Sequence, residues 1–199
     1  NTFVLMIEDF VKQLEPLPPK SKLIIFGGGY SGQRIASIGR RLGIEVLCSR
    51  REKGSVGADF IFNNDEEVPN KILEGATHIL SCIPPLISGE DPVLNKLRNQ
   101  LLNAKKIKWV GYLSTTGVYG DTQGKWVNEK TPPKPQQERS IRRYSCEKEW
   151  LETNLPIQIL RLPGIYGPGR SAFESLFNGT SKMIDKPSQV FSRIHVDDI

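Results

Sequence analysis

The run Leu23-Ile24-Ile25-Phe26-Gly27-Gly28-Gly29-Tyr30-Ser31-Gly32-Gln33-Arg34-Ile35-Ala36 constrains this chain more than any other stretch. An apolar strand enters a glycine-rich turn, and a helix leaves it. Gly27, Gly29 and Gly32 have the G-x-G-x-x-G spacing of a dinucleotide-binding turn. Gly27 permits the tight turn, Gly29 lets a pyrophosphate approach the backbone, and Gly32 lets the helix pack close to the strand. Tyr30 and Ser31 open that helix, whose first N–H groups and positive dipole end face the phosphates. Gly27, Gly29, Tyr30, Ser31 and Gly32 are therefore the candidate cofactor-binding turn. The alternative is a plain strand–turn–helix connection.

The next apolar run, Ile44-Glu45-Val46-Leu47-Cys48, ends in Ser49-Arg50-Arg51. An NAD-selective site usually carries Asp or Glu here, to accept hydrogen bonds from the ribose 2′-OH. A hydroxyl and two guanidiniums suit a 2′-phosphate instead, so Ser49, Arg50 and Arg51 point to NADP(H) over NAD(H). The competing reading of Arg50, Arg51 and Lys53 is a group of solvated loop charges. Arg50, immediately after the strand, is the stronger candidate. Ser81-Cys82-Ile83-Pro84-Pro85 ends another strand, where Pro84 shapes the pocket wall through its backbone.

Strands are expected at 22–27, 44–48, 59–62, 77–83, 107–114 and 157–162, and helices at 31–42, 66–73, 92–104 and 140–153. Runs such as His78 to Ile83 and Trp109 to Leu113 are mostly apolar rather than alternating, as strands covered on both faces must be. Alternating strands and helices predict an α/β fold, a Rossmann-type doubly wound parallel sheet. Phe3, Ile7, Phe10, Val11 and Leu14 have helical spacing, and Pro16, Pro18 and Pro19 follow. The expected organisation is an N-terminal amphipathic helix and Pro-rich linker over 1–21, a dinucleotide-binding domain over 22–170, and over 171–199 the start of an incomplete substrate-binding region.

A net charge of +5 without a basic, aromatic-interleaved stripe does not indicate nucleic acid. Cys48, Cys82 and Cys146 form no C-x-x-C pair or His/Cys cluster, so neither a disulfide frame nor a metal site is expected. No apolar run is long enough for a bilayer span. The expected location is cytoplasmic, or an organelle stroma if a leader was removed.

Strand five runs into Ser114-Thr115-Thr116-Gly117-Val118-Tyr119-Gly120. Together with Leu160-Arg161-Leu162-Pro163-Gly164-Ile165-Tyr166-Gly167-Pro168-Gly169-Arg170 and Arg193-Ile194-His195-Val196-Asp197-Asp198-Ile199, it resembles the extended short-chain dehydrogenase/reductases, the NAD(P)-dependent epimerase/dehydratase-like proteins. The resemblance covers about residues 22–199. It implies a Ser or Thr, a Tyr and a Lys around the reacting oxygen, with hydride passing to or from a nicotinamide. It places the hydroxyl on Thr115 and Pro163 near the nicotinamide. Dehydratase-type members carry an acidic pair where Thr116 and Gly117 stand, so sugar dehydration is not supported.

Tyr144 and Lys148 match Y-x-x-x-K and are the nominal catalytic pair with Thr115. The family register, read from Glu129, Pro132 and Pro135, instead puts Arg139 at the Tyr position, Arg143 at the Lys position and Glu147 at a later Glu. Tyr144 then sits five residues further along, about 7.5 Å of helical rise. Arg139 and Arg143 are candidates for holding a phosphate or carboxylate, or form a solvated helix face. Asp91-Pro92 reads as a helix start rather than an active-site acid. His195 reads as structural.

The resemblance implies an NAD(P)-dependent oxidoreductase or epimerase-like protein acting on a carbonyl or carbinol carbon of a small, sugar-like molecule. Its rivals are a catalytically degraded NADP(H)-binding regulatory or scaffold protein, and an NAD enzyme with its base elsewhere. Family members often pair through the helices after strands four and five, so the resemblance also allows a homodimer.

Overall fold

The computed structural model describes residues 14–181 and 190–199. Six parallel strands form the central sheet: β1 (Lys22–Phe26), β2 (Glu45–Arg50), β3 (Phe60–Ile61), β4 (His78–Ser81), β5 (Trp109–Thr115) and β6 (Ile157–Leu162). Their order, β3-β2-β1-β4-β5-β6, reverses direction between β1 and β4. In such a sheet the crevice at the carboxyl ends of the strands on either side of the reversal is the ligand site. A small parallel pair, β7 (Gly164–Tyr166) and β8 (Arg193–His195), stands apart from it.

Alternate residues of each strand go to opposite faces, and both faces are covered. Ile24 and Phe26 of β1, with Val110 and Tyr112 of β5, pack in one layer. That layer also holds Leu94, Leu97 and Leu101 of α2 (Pro92–Asn103) and Cys146 and Trp150 of α3 (Glu138–Leu151). Ile25, Val46, Leu80 and Leu113 face the other way, against Ala36 of α1 (Tyr30–Arg41). This two-sided burial explains why the strands read as continuous apolar runs.

Local chemistry sets the helix ends. Asp91 caps α2: its Oδ1 accepts from the N–H groups of Val93 and Leu94 at 2.9 and 3.0 Å, and Pro92 follows as the first helical residue. The Asp91 side chain is fully buried, and its Oδ2 accepts from the Trp150 indole N–H at 2.9 Å. One carboxylate thus joins α2 to α3. Arg40 and Arg41 close α1 at its negative dipole end.

Two expectations are corrected. No α-helix covers 66–73: a single 3-10 turn, Asn70–Ile72, follows Pro69, and Val68 and Ile72 reach the core from this irregular segment. The expected helix at 140–153 begins and ends two residues earlier, as α3. The amphipathic helix expected over 3–14 lies, except for the exposed Leu14, outside the described residues. No helix among the described residues is long and apolar enough to cross a membrane.

Candidate active site

An open cleft of about 1260 Å³ runs along the carboxyl ends of the strands, from the glycine turn and the end of β2 to the ends of β5 and β6. The turn between β1 and α1 is built against β2. The Gly27 N–H donates to Ser49 Oγ at 2.9 Å, and the Gly28 N–H to the Ser49 carbonyl at 2.7 Å. The Arg50 guanidinium donates to the Gly28 carbonyl. Gly27 has φ +93, a conformation an L side chain resists.

The glycines divide by what a side chain would meet. A Cβ on Gly32 would strike the Gly27 carbonyl, as close helix–strand packing requires. A Cβ on Gly28 would press on Cys48 Sγ at 2.7 Å and the Ser49 carbonyl at 2.8 Å. A Cβ on Gly29 would meet nothing within 4 Å, so this position borders open cleft. Gly29 is also the N-cap of α1, and no side chain caps that helix. Its first turn carries no acidic residue. Open space beside uncapped helix amides is a cradle for an anionic group.

Tyr30 and Ser31 both line the cleft. The Tyr30 hydroxyl donates to the Pro168 carbonyl at 2.9 Å, and the Arg170 guanidinium lies 5.4 Å from its ring centre. Burial raises the Tyr30 phenol above its ordinary value, with charges on Arg170 and Glu174 pulling in opposite directions. Ser49 borders the cleft but is buried, and its hydroxyl oxygen is already occupied by the turn. Arg50, Arg51 and Lys53 line the same end, where Lys53 pairs with Glu66 at 2.6 Å.

At the other end lie Pro84, Leu113, Ser114, Arg143, Leu162 and Ile165. Pro163, Thr115, Tyr144 and Lys148 are not part of the lining. Thr115 sits at the rim of β5, where its Oγ1 accepts from the Gly117 N–H at 3.1 Å. Its own proton has no partner among the described residues. Lys148 is exposed, with its ammonium 4.4 Å from the Tyr144 ring centre. Arg143 does enter the cleft, while Arg139 is exposed and bonds Gln137 at 3.0 Å.

Beneath this end lies a buried polar network. Glu147 accepts from Arg161 through both carboxylate oxygens, at 2.7 Å from Nη2 and 3.1 and 3.2 Å from Nε. Ser114 Oγ donates to Glu147 Oε1 at 2.5 Å, and Arg161 Nη1 donates to the Tyr119 hydroxyl at 3.1 Å. The bonds to Glu147 hold the Arg161 pKa above its ordinary value. The network fixes the end of β5 against α3 and β6.

Cys82 lines the cleft, but burial pushes its thiol up to about 12, so it remains a thiol and not a nucleophile. Among the described residues no group of three His, Cys, Asp or Glu is placed to hold a metal ion. His195 accepts from the Asp197 N–H at 3.2 Å, and Asp197 pairs with Arg34 of α1. That tie docks the 3-10 turn Val196–Asp198 on the dinucleotide fold.

Sequence reasoning assigned no role to Gly28, because the motif leaves that position free. Its signal lies in Cys48 and Ser49 on the adjoining strand. The pairing of Glu147 with Arg161 was also unforeseen, since they lie fourteen positions apart on different elements.

No protein-family model matches the chain. A stretch of 70 residues is 44% identical to Protein YeeZ of Escherichia coli strain K12, covering 34% of this chain and 24% of that protein. A functionally unknown conserved protein from Silicibacter pomeroyi superposes with a TM-score of 0.80 at 40% identity, over 89% of this chain and 64% of that one. The chain thus spans less than two thirds of the length of that relative. A structure described as a putative NAD-dependent epimerase/dehydratase from Methylobacillus flagellatus superposes with a TM-score of 0.65 at 26% identity, over 89% of this chain and 66% of that one. By its sheet order, its glycine turn and its likeness to these structures, the chain has the Rossmann-type fold of the NAD-dependent epimerase/dehydratase-like structures.

Proposed function

We propose that this chain binds a nicotinamide dinucleotide in the cleft, NADP(H) in preference to NAD(H), and acts by hydride transfer at a carbonyl or carbinol carbon of a small, sugar-like molecule. The observation that carries the reading is the open space at Gly29 beside the uncapped first turn of α1. The Methylobacillus structure's description, a putative NAD-dependent epimerase/dehydratase, supports the same cofactor class.

The residues fit such a cofactor. The amides of the first turn of α1 would hold the pyrophosphate. Arg50 and Arg51, where an acidic residue would select NAD, would hold a 2′-phosphate. Pro84, Leu162 and Ile165 would wall the nicotinamide half and keep water from it. A nicotinamide, when bound, supplies or accepts the hydride. Thr115, whose oxygen already accepts the Gly117 N–H, has its proton left to donate to a substrate oxygen. Ser114 has none to spare, because its proton is given to Glu147.

A second reading has its own observation. Arg139 and Arg143 stand where the resemblance calls for the proton-transferring Tyr and Lys, and Tyr144 and Lys148, like Thr115, lie outside the cleft lining. This arrangement favours an NADP(H)-binding protein without turnover. NADPH and NADH would be titrated separately, following nicotinamide fluorescence. Clear preference for NADPH is the expected result; a folded chain binding neither overturns the proposal. Oxidation of NADPH with a panel of aldehydes, ketones and keto-sugars, lost in Thr115→Val, supports the enzyme. Tight binding without turnover selects the second reading.

A further inference from the structure

We infer that Arg143 makes the reacting end of the cleft an anion site, so that the molecule bound there carries a carboxylate or phosphate group. The inference rests on the reading of the cleft as a dinucleotide site and adds the substrate class to it.

Arg143 projects from α3 to the carboxyl ends of β4 and β5. One arm of its guanidinium is fixed: Nη1 donates to the Leu113 carbonyl at 3.1 Å and to the Ile83 carbonyl and Tyr112 hydroxyl at 3.3 Å. The guanidinium carbon lies 5.6 Å from the Tyr112 ring centre. Nε and Nη2 make no hydrogen bond among the described residues, and the side chain lines the cleft beside Ser114.

The unusual feature is charge. Apart from Arg50, which bonds the Gly28 carbonyl at the opposite end of the cleft, the other half-buried arginines among the described residues are matched to acids: Arg161 to Glu147 at 2.7 Å, Arg98 to Glu149 at 2.7 Å, Arg142 to Glu138 at 3.3 Å, and Arg34 to Asp197. Arg143 is half-buried and has no carboxylate partner among the described residues. Glu147, four residues further along the same helix, is bonded to Arg161 and Ser114. Tyr112 does not supply the charge, because burial holds its phenol well above the ordinary value and therefore neutral. A guanidinium stays protonated at any physiological pH, and leaving it half-desolvated without a counter-charge is unfavourable. The three neutral oxygens orient it without neutralising it. The free Nε and Nη2 edge is the fork that grips a carboxylate or phosphate by two parallel hydrogen bonds.

A lysine in this position would offer a single point charge. The arginine offers a planar fork instead, already anchored by its other arm. Specificity therefore follows from geometry: an anion with two oxygens in one plane fits, and a neutral polyol leaves the charge uncompensated.

The test uses the whole chain, alone and loaded with NADPH, titrated with oxalate and with inorganic phosphate and followed by calorimetry. Saturable binding of either probe is expected. Arg143→Gln should weaken it about tenfold or more, the loss expected for a charge-assisted bidentate contact. Arg143→Lys, which keeps the charge and loses the fork, should fall between. Preference for oxalate over phosphate assigns the group as a carboxylate, and the reverse as a phosphate. NADPH affinity should change by less than about threefold in Arg143→Gln. No binding of either probe to the wild-type chain, or equal binding to wild type and Arg143→Gln, overturns the inference. Loss of NADPH affinity in Arg143→Gln with probe binding unchanged also overturns it, because Arg143 then serves the cofactor. Failure of NADPH to bind the wild-type chain is a separate result. It defeats the dinucleotide reading, while the probe titrations on the chain alone still decide the role of Arg143.

Discussion

Arg161 on β6 and Glu147 on α3 meet through both carboxylate oxygens, and Glu147 is almost completely buried. Removing one member of such a pair leaves the other as an uncompensated charge, which costs about 3–5 kcal/mol. Glu147→Gln is expected to lower the unfolding free energy by that amount, read from urea denaturation with an unchanged m-value. Glu147→Leu combined with Arg161→Met should regain most of the loss. A midpoint unaffected by Glu147→Gln would show that the pair contributes nothing.

The glycines of the turn should separate stability from binding. Gly28→Ala and Gly32→Ala place a methyl group against Cys48 and the Gly27 carbonyl, and each should cost about 1–3 kcal/mol. Gly29→Ala meets no atom, so its stability should stay within about 0.5 kcal/mol of wild type. Its NADPH affinity should nevertheless fall, because the methyl group occupies the phosphate's approach. Thermal unfolding with parallel NADPH titrations checks both halves. Undiminished NADPH binding by Gly29→Ala would remove the phosphate from this turn.

Arg50 should set the choice between the two dinucleotides. Arg50→Ser is expected to weaken NADPH about tenfold or more beyond its effect on NADH, the loss of a charge-assisted contact to phosphate added to the loss of the Gly28 brace that both cofactors feel. Separate Kd values for the two cofactors decide it. Equal loss of both would mean that Arg50 acts by holding the Gly28 carbonyl rather than by reading the phosphate.

Asp91 carries a pH signature. Burial raises its carboxyl from 3.8 to about 6, opposed by the hydrogen bonds from Leu94, Trp150 and Val93. The folded chain therefore holds this proton more tightly than the unfolded chain. The contribution of Asp91 to stability should fall as pH rises from about 4 to about 6, and level off outside that window. Asp91→Asn should abolish this part of the slope. It should also cost about 1–3 kcal/mol at neutral pH, since the new amide turns a donor toward the Trp150 indole N–H. Unfolding free energies at closely spaced pH values test this; parallel curves for variant and wild type would contradict it.

Much of the architecture was legible because each local signal agreed with its neighbours. The β1 strand, the glycines and the α1 pattern all pointed to one geometry, and the apolar strands could only be covered on both faces. The segment 66–73 misled for a physical reason. Val68 and Ile72 have helical spacing and are both buried, but Pro69 between them interrupts a helix and leaves a single 3-10 turn. The pair Tyr144 and Lys148 shows a different limit. A four-residue offset puts two side chains on one face of a helix without saying which face. In α3, Glu147 and Trp150 turn to the interior and Arg143 enters the cleft, while Lys148 is exposed. The register that names Arg139, Arg143 and Glu147 was readable from the prolines and Glu129. The absence of an acid beside Arg143 was not, because charge pairing is decided by elements far apart in sequence.

The three bonds from Ser49 and Arg50 to Gly27 and Gly28 have a consequence for redesign. The residues that would discriminate the adenosine ribose are the same ones that brace the phosphate turn. With a dinucleotide bound as proposed, cofactor preference and phosphate grip would therefore not be independent settings. An acidic residue introduced at Arg50 to favour NAD would also release the Gly28 carbonyl, so reversing the preference would require a compensating brace elsewhere on β2.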